Sequence, residues 1–381
     1  MKIARVSAYS VNPRLTLDIL PKKLETTQGF TLVEIETDTG IVGTGITGIT
    51  DTAVVARVVE RVGPGLTGMD PMMIEQIWDK LYWQLSPRGQ TGIAQHAMAA
   101  IDIALWDIKG KALGEPIWRL LGGARKKVPL YVTFGFHFYD RDELADAARA
   151  WVKRGFKRVK MTVADGALRN RDSKSIMDQL KEDAKRVKAV RDAVGDDIEI
   201  YVDANCNLDH YHALKIARAI EPYGISFLEE PITQNDARQM ADLRRQVPIP
   251  LACGQNEGLA FRFRDLLVNQ SIDFVQPNVC ITGGFTQAQK IVGMAAAFNV
   301  PFANGGGWPY ENMHLIAGAA NGTLVEFHYM ATEACKSIFD GLPEPKDGFM
   351  EMPDKPGLGY TLNRERLKDV LENPAGGRRE S

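Results

Sequence analysis

Four cysteines in 381 residues, with no CxxC pair and no zinc-type spacing among them, leave no basis for a disulfide framework or a structural zinc site. They are Cys206, Cys253, Cys280 and Cys335, and they support a reduced, cytoplasmic protein. Long apolar runs are also missing. The N-terminal MKIARVSAYSV alternates like a strand and no h-region follows it, so neither a signal peptide nor a membrane span is expected. Charge of one sign is not in excess either. The formal net charge of -2 gives no reason to expect nucleic acid or an anionic membrane as a partner. What is there is ordinary for a globular protein, at 45% hydrophobic and 25% charged residues. The length suits two domains, or one barrel with an addition, and needs no covalent staples. The tail PAGGRRES reads as frayed.

The chain changes pattern once. Met1 to Val11 and Phe30 to Thr37 read as strands, and DTG marks a hairpin turn after the second. Between them PRLTLDILPKKLETTQG reads as a long polar connection. From Thr52 the period is helical, and IAQHAMAAIDIALWDIKGKALG reads as a buried helix closed by Gly114. From Val128, strand candidates alternate with amphipathic helices: VPLYVTFG, RVKMTV, IEIYVDAN, ISFLEEP, IPLACGQN, FVQPNV, VPFANG and LVEFHY. That alternation predicts a parallel sheet, and eight candidates predict a closed (β/α)8 barrel of the TIM type preceded by an α+β unit. The boundaries fall at 1–125 for the α+β unit and 126–330 for the barrel.

Polar residues recur where each strand ends. Asp203, Glu229 and Gln255 are separated by 26 and 26 residues, Asn278 follows after 23, Asn304 after 26 and Glu326 after 22. Barrel enzymes place their sites at that end of the strands. Asp203 alone would read as a helix N-cap and Glu229 alone as a surface acid. Together, one β/α unit apart, they suit Mg2+, which takes carboxylate and water oxygens. In FKRVKMTV the alternation turns Lys160 and Thr162 inward, and an inward lysine needs an anionic partner, either Asp203 or a substrate carboxylate. Glu326 is a further acid at the same rim, suited to act as a general acid or to accept substrate hydroxyls. His137, just past the first barrel strand, is a catalytic candidate. His328, on the face of Glu326, is read as a satisfied structural histidine.

These stretches resemble the enolase superfamily, in its mandelate racemase and muconate lactonizing enzyme branch. The resemblance runs through AAIDIALWDIKGKALGEPIWRLLGG, GFKRVK, VDAN, FLEEP, GQNEGLAFRFRDLL and QPNVCITGG, nearly the whole chain. It implies that the α+β unit is a capping domain closing over the barrel, and that the last segment, 331–381, returns to the cap. It implies Mg2+ at Asp203, Glu229 and Gln255, and abstraction of the proton α to a substrate carboxylate. It also exposes departures. The third metal position, usually glutamate, is Gln255. Glu257, two residues on, points to the same side of an extended backbone and is the rival ligand. The second lysine of the usual KxK motif is Thr162. The usual histidine–aspartate base pair is replaced by Asn304 and Asn278. Thr162, Asn205, Asn278 and Asn304 are therefore taken as substrate-binding residues, and Lys160, Glu326 and His137 as the catalytic candidates.

A site poor in bases favours dehydration, which needs one base and one acid, over racemisation, which usually needs bases on two faces. The expected function is a Mg2+-dependent lyase that dehydrates an aldonate or aldarate to a 2-keto-3-deoxy acid. A racemase, epimerase or cycloisomerase is the alternative, and a family member that binds acids with little chemistry is another. The expected partners are a small-molecule carboxylate and further copies of the chain. Substrate choice is assigned to the loops LPKKLETTQG and SPRGQTG. Mg2+ and burial are both expected to lower the pKa of Lys160 so that it serves as a neutral base, its rival role being a charged carboxylate anchor with His137 or a loop residue as the base.

Overall fold

The computed structural model describes residues 1–85 and 89–375. The tail 376–381 and the first three residues of SPRGQTG lie outside the described residues. The chain opens with five strands, β1 (Ile3–Val11), β2 (Arg14–Leu17), β3 (Leu24–Thr27), β4 (Phe30–Thr37) and β5 (Val42–Gly48). They form an antiparallel sheet in the order β1-β4-β5 and a separate β2-β3 hairpin. The hairpin replaces the polar connection expected from PRLTLDILPKKLETTQG. Its alternation is short, but Leu15 and Leu17 are buried while Arg14 and Thr16 face solvent. Helices α1 (Thr52–Val62), α2 (Ile74–Leu85) and α3 (Ile93–Leu113) follow. Gly114 ends α3 in the left-handed conformation at φ 71°, the geometry glycine tolerates without cost.

Helix α3 is apolar on nearly every face because it is covered on both sides. One side meets β5 so closely that a Cβ on Gly43 or Gly45 would overlap the carbonyl oxygens of Ala104 or Ala100. The other side meets the barrel. There the buried Asp102 carboxylate accepts from the Thr286 backbone N–H at 3.1 Å and its hydroxyl at 2.5 Å.

After the short α4 (Ile117–Leu120), strands and helices alternate: β6 (Lys127–Gly135), α5 (Arg141–Lys153), β7 (Arg158–Thr162), α6 (Ile176–Val194), β8 (Glu199–Asp203), α7 (His210–Ile220), β9 (Ile225–Glu229), α8 (Ala237–Gln246), β10 (Leu251–Cys253), α9 (Ala260–Val268), β11 (Phe274–Val275), α10 (Gly284–Ala297), α11 (Pro309–Gly318) and β12 (Val325–His328). The sheet runs β11-β10-β9-β8-β7-β6-β12, with parallel neighbours along it. The seventh barrel position, in VPFANG, is only a bridge. Phe302 pairs with Val275 on one side and Gly322 on the other. Ala303 N–H donates to Val275 O at 3.0 Å and Asn304 N–H to Leu324 O at 2.9 Å, which closes the ring. The fold is the capped (β/α)8 barrel expected from the sequence.

The floor of the barrel is a layer of Tyr131, Tyr201, Phe227, Ala252, Ala303 and Leu324. Tyr201 and Phe227 lie with ring centroids 4.3 Å apart, so the interior is packed and only its mouth is open to chemistry. Beyond the barrel come α12 (Tyr329–Lys336), β13 (Phe339–Asp340), β14 (Phe349–Glu351), β15 (Thr361–Leu362) and α13 (Arg364–Glu372). Arg364 pairs with the buried Glu34 of β4 at 2.6 Å and Ala375 N–H donates to Asn12 O at 2.8 Å, so the last segment packs on the first sheet. Among the described residues no helix is long and apolar enough to cross a membrane.

Burial pushes the Asp102 carboxyl up to about 7, against the lowering effect of its bonds to Thr286. A raised carboxyl stabilises the fold while protonated. That contribution is whole below the unfolded value near 4 and fades as pH rises to about 7. Asp102→Asn should therefore gain melting temperature relative to the parent between pH 4 and 7, with the gap widest at the top of that range; a constant gap would refute the titration.

Candidate active site

The parallel register does the first work. Thr162 pairs with Asp203, and Asp203 with Glu229, so β7, β8 and β9 end level with one another. Lys160, one pleat deeper on β7, rises between them. Its Nζ lies 3.2 Å from Asp203 Oδ2, 2.7 Å from Glu229 Oε2 and 2.9 Å from Glu326 Oε1. All four side chains are buried, and the ammonium sits 5.4 Å above the Tyr131 ring in the barrel floor. Glu326 is fixed by further donors: the Thr133 hydroxyl, and the Gly307 N–H at 2.6 Å. Asp203 Oδ1 accepts the Asn205 N–H at 2.8 Å.

Gln255 joins this cluster and Glu257 does not. The Gln255 amide Nε2 lies 3.2 Å from Asp203 Oδ2 and 3.3 Å from Glu230 Oε2. Glu257 instead pairs with Arg262 at 2.7 Å and accepts from Asn235 at 3.0 Å. His137 also stands apart. It is exposed on the loop after β6, with its nearest acid Asp165 at 3.9 Å. Thr162 donates to Gly135 O at 3.1 Å. Asn205 is exposed at φ 45°, above Asp203. Asn278 and Asn304 are buried and spend their amides on backbone. Asn278 donates to Gly305 O at 2.7 Å and accepts from Cys280 N–H at 2.9 Å. Asn304 donates to the same Gly305 O at 2.9 Å and accepts from Glu326 N–H at 3.0 Å. Both amides brace the Gly305–Gly307 strap.

Charge decides the electrostatics. Burial pulls the Lys160 pKa down, but Glu229, Glu326 and Asp203 outweigh it and hold the amine well above its ordinary value. In this arrangement Lys160 is an ammonium, because burial alone does not outweigh its three acidic neighbours. Burial and the neighbouring Asp203 push Glu229 well above the carboxylate range. Burial acts upward on Glu326 too, but Lys160 holds it below.

One ammonium among three buried carboxyl groups would leave negative charge without a partner, a costly state in a protein interior, and the raised Glu229 carboxyl is where a proton relieves it. One oxygen shows where the deficit lies: Glu229 Oε1 is buried and has no hydrogen-bond partner. Glycine at 305 keeps the space beside it open, since a Cβ there would stand 2.8 Å from that oxygen and 3.0 Å from Gln276 Nε2. Among the described residues no three His, Cys, Asp or Glu side chains converge as a metal site. The third donor here would be the carbonyl oxygen of Gln255. Asp203, Glu229 and Gln255 offer oxygen ligands only, one of them orphaned, and this set fits a hard divalent cation.

Sequence reasoning missed two supports. Glu230, the second glutamate of FLEEP, is fully buried and accepts from Asn235 at 3.0 Å, from Cys206 and Gln255 at 3.3 Å, and from the Asn256 amide, tying β9 to the loop after β10. Thr133, inward on β6 like Tyr131, holds Glu326. The doubled glutamate was the visible signal for the first, and strand alternation for the second. The tip of the β2-β3 hairpin reaches the barrel beside the mouth, where Asp18 N–H donates to the Tyr329 hydroxyl at 2.8 Å.

A cap closed over a barrel whose lysine and carboxylates meet at the strand ends defines a carboxylate-handling barrel of the enolase type. Residues 8–122 match the mandelate racemase / muconate lactonizing enzyme N-terminal domain, and residues 143–366 match the enolase C-terminal domain-like family. The chain belongs to this family, the mandelate racemase / muconate lactonizing enzyme branch of the enolase superfamily. It is 35% identical to an arabinonate dehydratase of Saccharolobus solfataricus over 86% of this chain and 87% of that protein. It is 32% identical to a 3,6-anhydro-alpha-L-galactonate cycloisomerase of Streptomyces coelicolor, over 88% of this chain and 89% of that one. Among solved structures, L-talarate dehydratase from Polaromonas sp. JS666, complexed with Mg and L-glucarate, superposes with a TM-score of 0.81 at 30% identity, covering 97% of each chain.

Removing the cation of this cluster should expose the imbalance. Lys160→Met is expected to destabilise the metal-free protein by about 3–5 kcal/mol, the usual cost of breaking a buried ion pair from one side. Urea denaturation checks this, and a change within error of zero would mean that the carboxylates carry little charge.

Proposed function

We propose that this protein dehydrates a sugar acid, an aldonate or aldarate, to a 2-keto-3-deoxy acid with the help of Mg2+. The observation that carries the reading is the contact of Lys160 Nζ with Glu326 on one side and with Asp203 and Glu229 on the other. Relatives named for dehydration of arabinonate and for complexes with Mg and L-glucarate support the substrate class and the metal. Asp203, Glu229 and Gln255 would hold the ion. When bound, it supplies positive charge beside the substrate carboxylate, which acidifies the adjacent C–H.

The chain's own residues then divide the proton work. Lys160 and Glu326 are an ion pair at 2.9 Å, and transfer of one proton between them gives an amine and a carboxylic acid. The amine takes the α-proton. The acid delivers its proton to the departing β-hydroxyl, which leaves as water. The enol released then tautomerises to the 2-keto-3-deoxy acid. This arrangement favours the charged pair, so Lys160 begins as the anchor of the substrate carboxylate and becomes the base only once its contacts with Asp203 and Glu229, the residues that would hold the ion, are released. Thr162 cannot serve as base, and the braced Asn278 and Asn304 offer none from the opposite face, which weighs against racemisation. A cycloisomerase on the same scaffold is the second reading, favoured by the Streptomyces coelicolor relative.

Metal affinity tests the ligand set. By calorimetry, Asp203→Asn should weaken Mg2+ at least tenfold, Gln255→Leu should weaken it and Gln255→Glu should tighten it, because a carboxylate adds charge where an amide has none. Glu257→Gln should leave it unchanged; a selective effect of that variant would move the third ligand to Glu257.

A panel of aldonates and aldarates in deuterated water tests the chemistry. Keto-acid formation with loss of water supports the dehydratase, deuterium at the α-carbon without loss of water supports the isomerase, and Lys160→Met should abolish both. Exchange that survives in Lys160→Met, with only binding weakened, would leave Lys160 as an anchor and end its role as base.

A further inference from the structure

His328 is held in one protonation geometry by its own backbone. It caps helix α12, and its Nδ1 accepts the Ala331 N–H at 3.3 Å. A backbone amide can only donate, so Nδ1 carries no proton and the neutral ring places its hydrogen on Nε2. The strand aims that ring inward. Phe327 points out to Trp151 and Phe156 among the helices, so Glu326 and His328 share the inner face of β12, with His328 one layer nearer the mouth. The half-buried imidazole lies against Phe136, ring centroids 5.3 Å apart, and beside the Gly307 backbone. Among the described residues no protein group accepts from Nε2. The next residue, Tyr329, grips Asp18 of the capping hairpin, so the ring stands where the mouth meets the cap.

We propose that His328 is a substrate-binding residue whose Nε2–H donates to a hydroxyl oxygen on the chain of the acid, beyond the carbon that Lys160 and Glu326 work on. This rests on the sugar-acid reading above and adds a position to it. A donor that carries no charge suits a hydroxyl oxygen; an ammonium or guanidinium there would favour a second carboxylate.

Two substitutions separate the cap from the donor. An asparagine oxygen can take the place of Nδ1, so His328→Asn should keep the cap and delete the donor. A glutamine amide can reach the place of Nε2, so His328→Gln should keep a donor and lose the cap. Nitrogen NMR of the metal-free protein, labelled at histidine, should show His328 protonated on Nε2; protonation on Nδ1 overturns the proposal whatever the substrate. With Mg2+ present, calorimetry with arabinonate, galactonate and L-glucarate should find binding weakened about tenfold in His328→Asn and less than threefold in His328→Gln. Glycolate, which has no chain beyond its α-hydroxyl, should bind the parent and His328→Asn alike. Equal weakening of glycolate, or none for the longer acids, overturns the assignment. Failure of every sugar acid to yield keto acid would count against the dehydratase reading, while the tautomer measurement decides His328 separately.

Discussion

The contact of one buried ammonium with three carboxylates is the constraint around which the barrel mouth is built. Lys160 cannot be moved by one residue, because its neighbours on β7 face the helices, and it cannot be shortened, because its partners stand 2.7 to 3.2 Å away on three other strands. The aromatic floor below removes water from underneath it, and the cap above restricts water from the other side. Low polarisability on both sides makes each charge felt by the others, so the protonation of any member depends on all the rest.

Neutral groups complete the arrangement. Gln255, Asn278, Asn304 and Gln276 occupy places around the cluster where charged residues would raise the strain further. The amide of Gln255 stands between Asp203 and Glu230 as a donor to both, which a carboxylate could not be without a proton. The neutral amide thus eases the metal-free state and is expected to hold a cation less firmly. These are two consequences of one atom's identity.

Much of this was legible beforehand for a physical reason. Period 2 in the strands and period 3.6 in the helices alternate over the whole barrel, and polar residues at intervals of 22 to 26 mark the strand ends. The grouping of Asp203 with Glu229 and Gln255 follows from that spacing, and that of Lys160 with Asp203 from the alternation of its strand. The β2-β3 hairpin was missed because four-residue strands give too few alternations to stand out from a polar stretch. The seventh barrel position reads as a strand in the sequence but holds only through the bridge at Phe302. The charge that Lys160 carries beside these acids was not legible, because burial and neighbouring carboxylates act in opposite directions, and only distances decide which prevails. That Glu257 stands outside the cluster likewise depends on Arg262, a helix residue that spacing alone does not bring to mind.

The strap at Gly305–Gly307 constrains how such a site could change in evolution. Asn278 and Asn304 hold the same carbonyl, Gly305 O, and Asn304 also holds the backbone of β12 where Glu326 begins. A lineage that acquired a histidine and an aspartate at these two positions would gain a base on the second face of the substrate. The same change would release the strap, and with it the Gly307 amide that fixes Glu326. The first of the two substitutions would therefore loosen the existing site before the second could create a new one. On the proposed reading, reaction type would be guarded by a mechanical linkage, and a shift toward two-sided proton transfer would require both residues to change together.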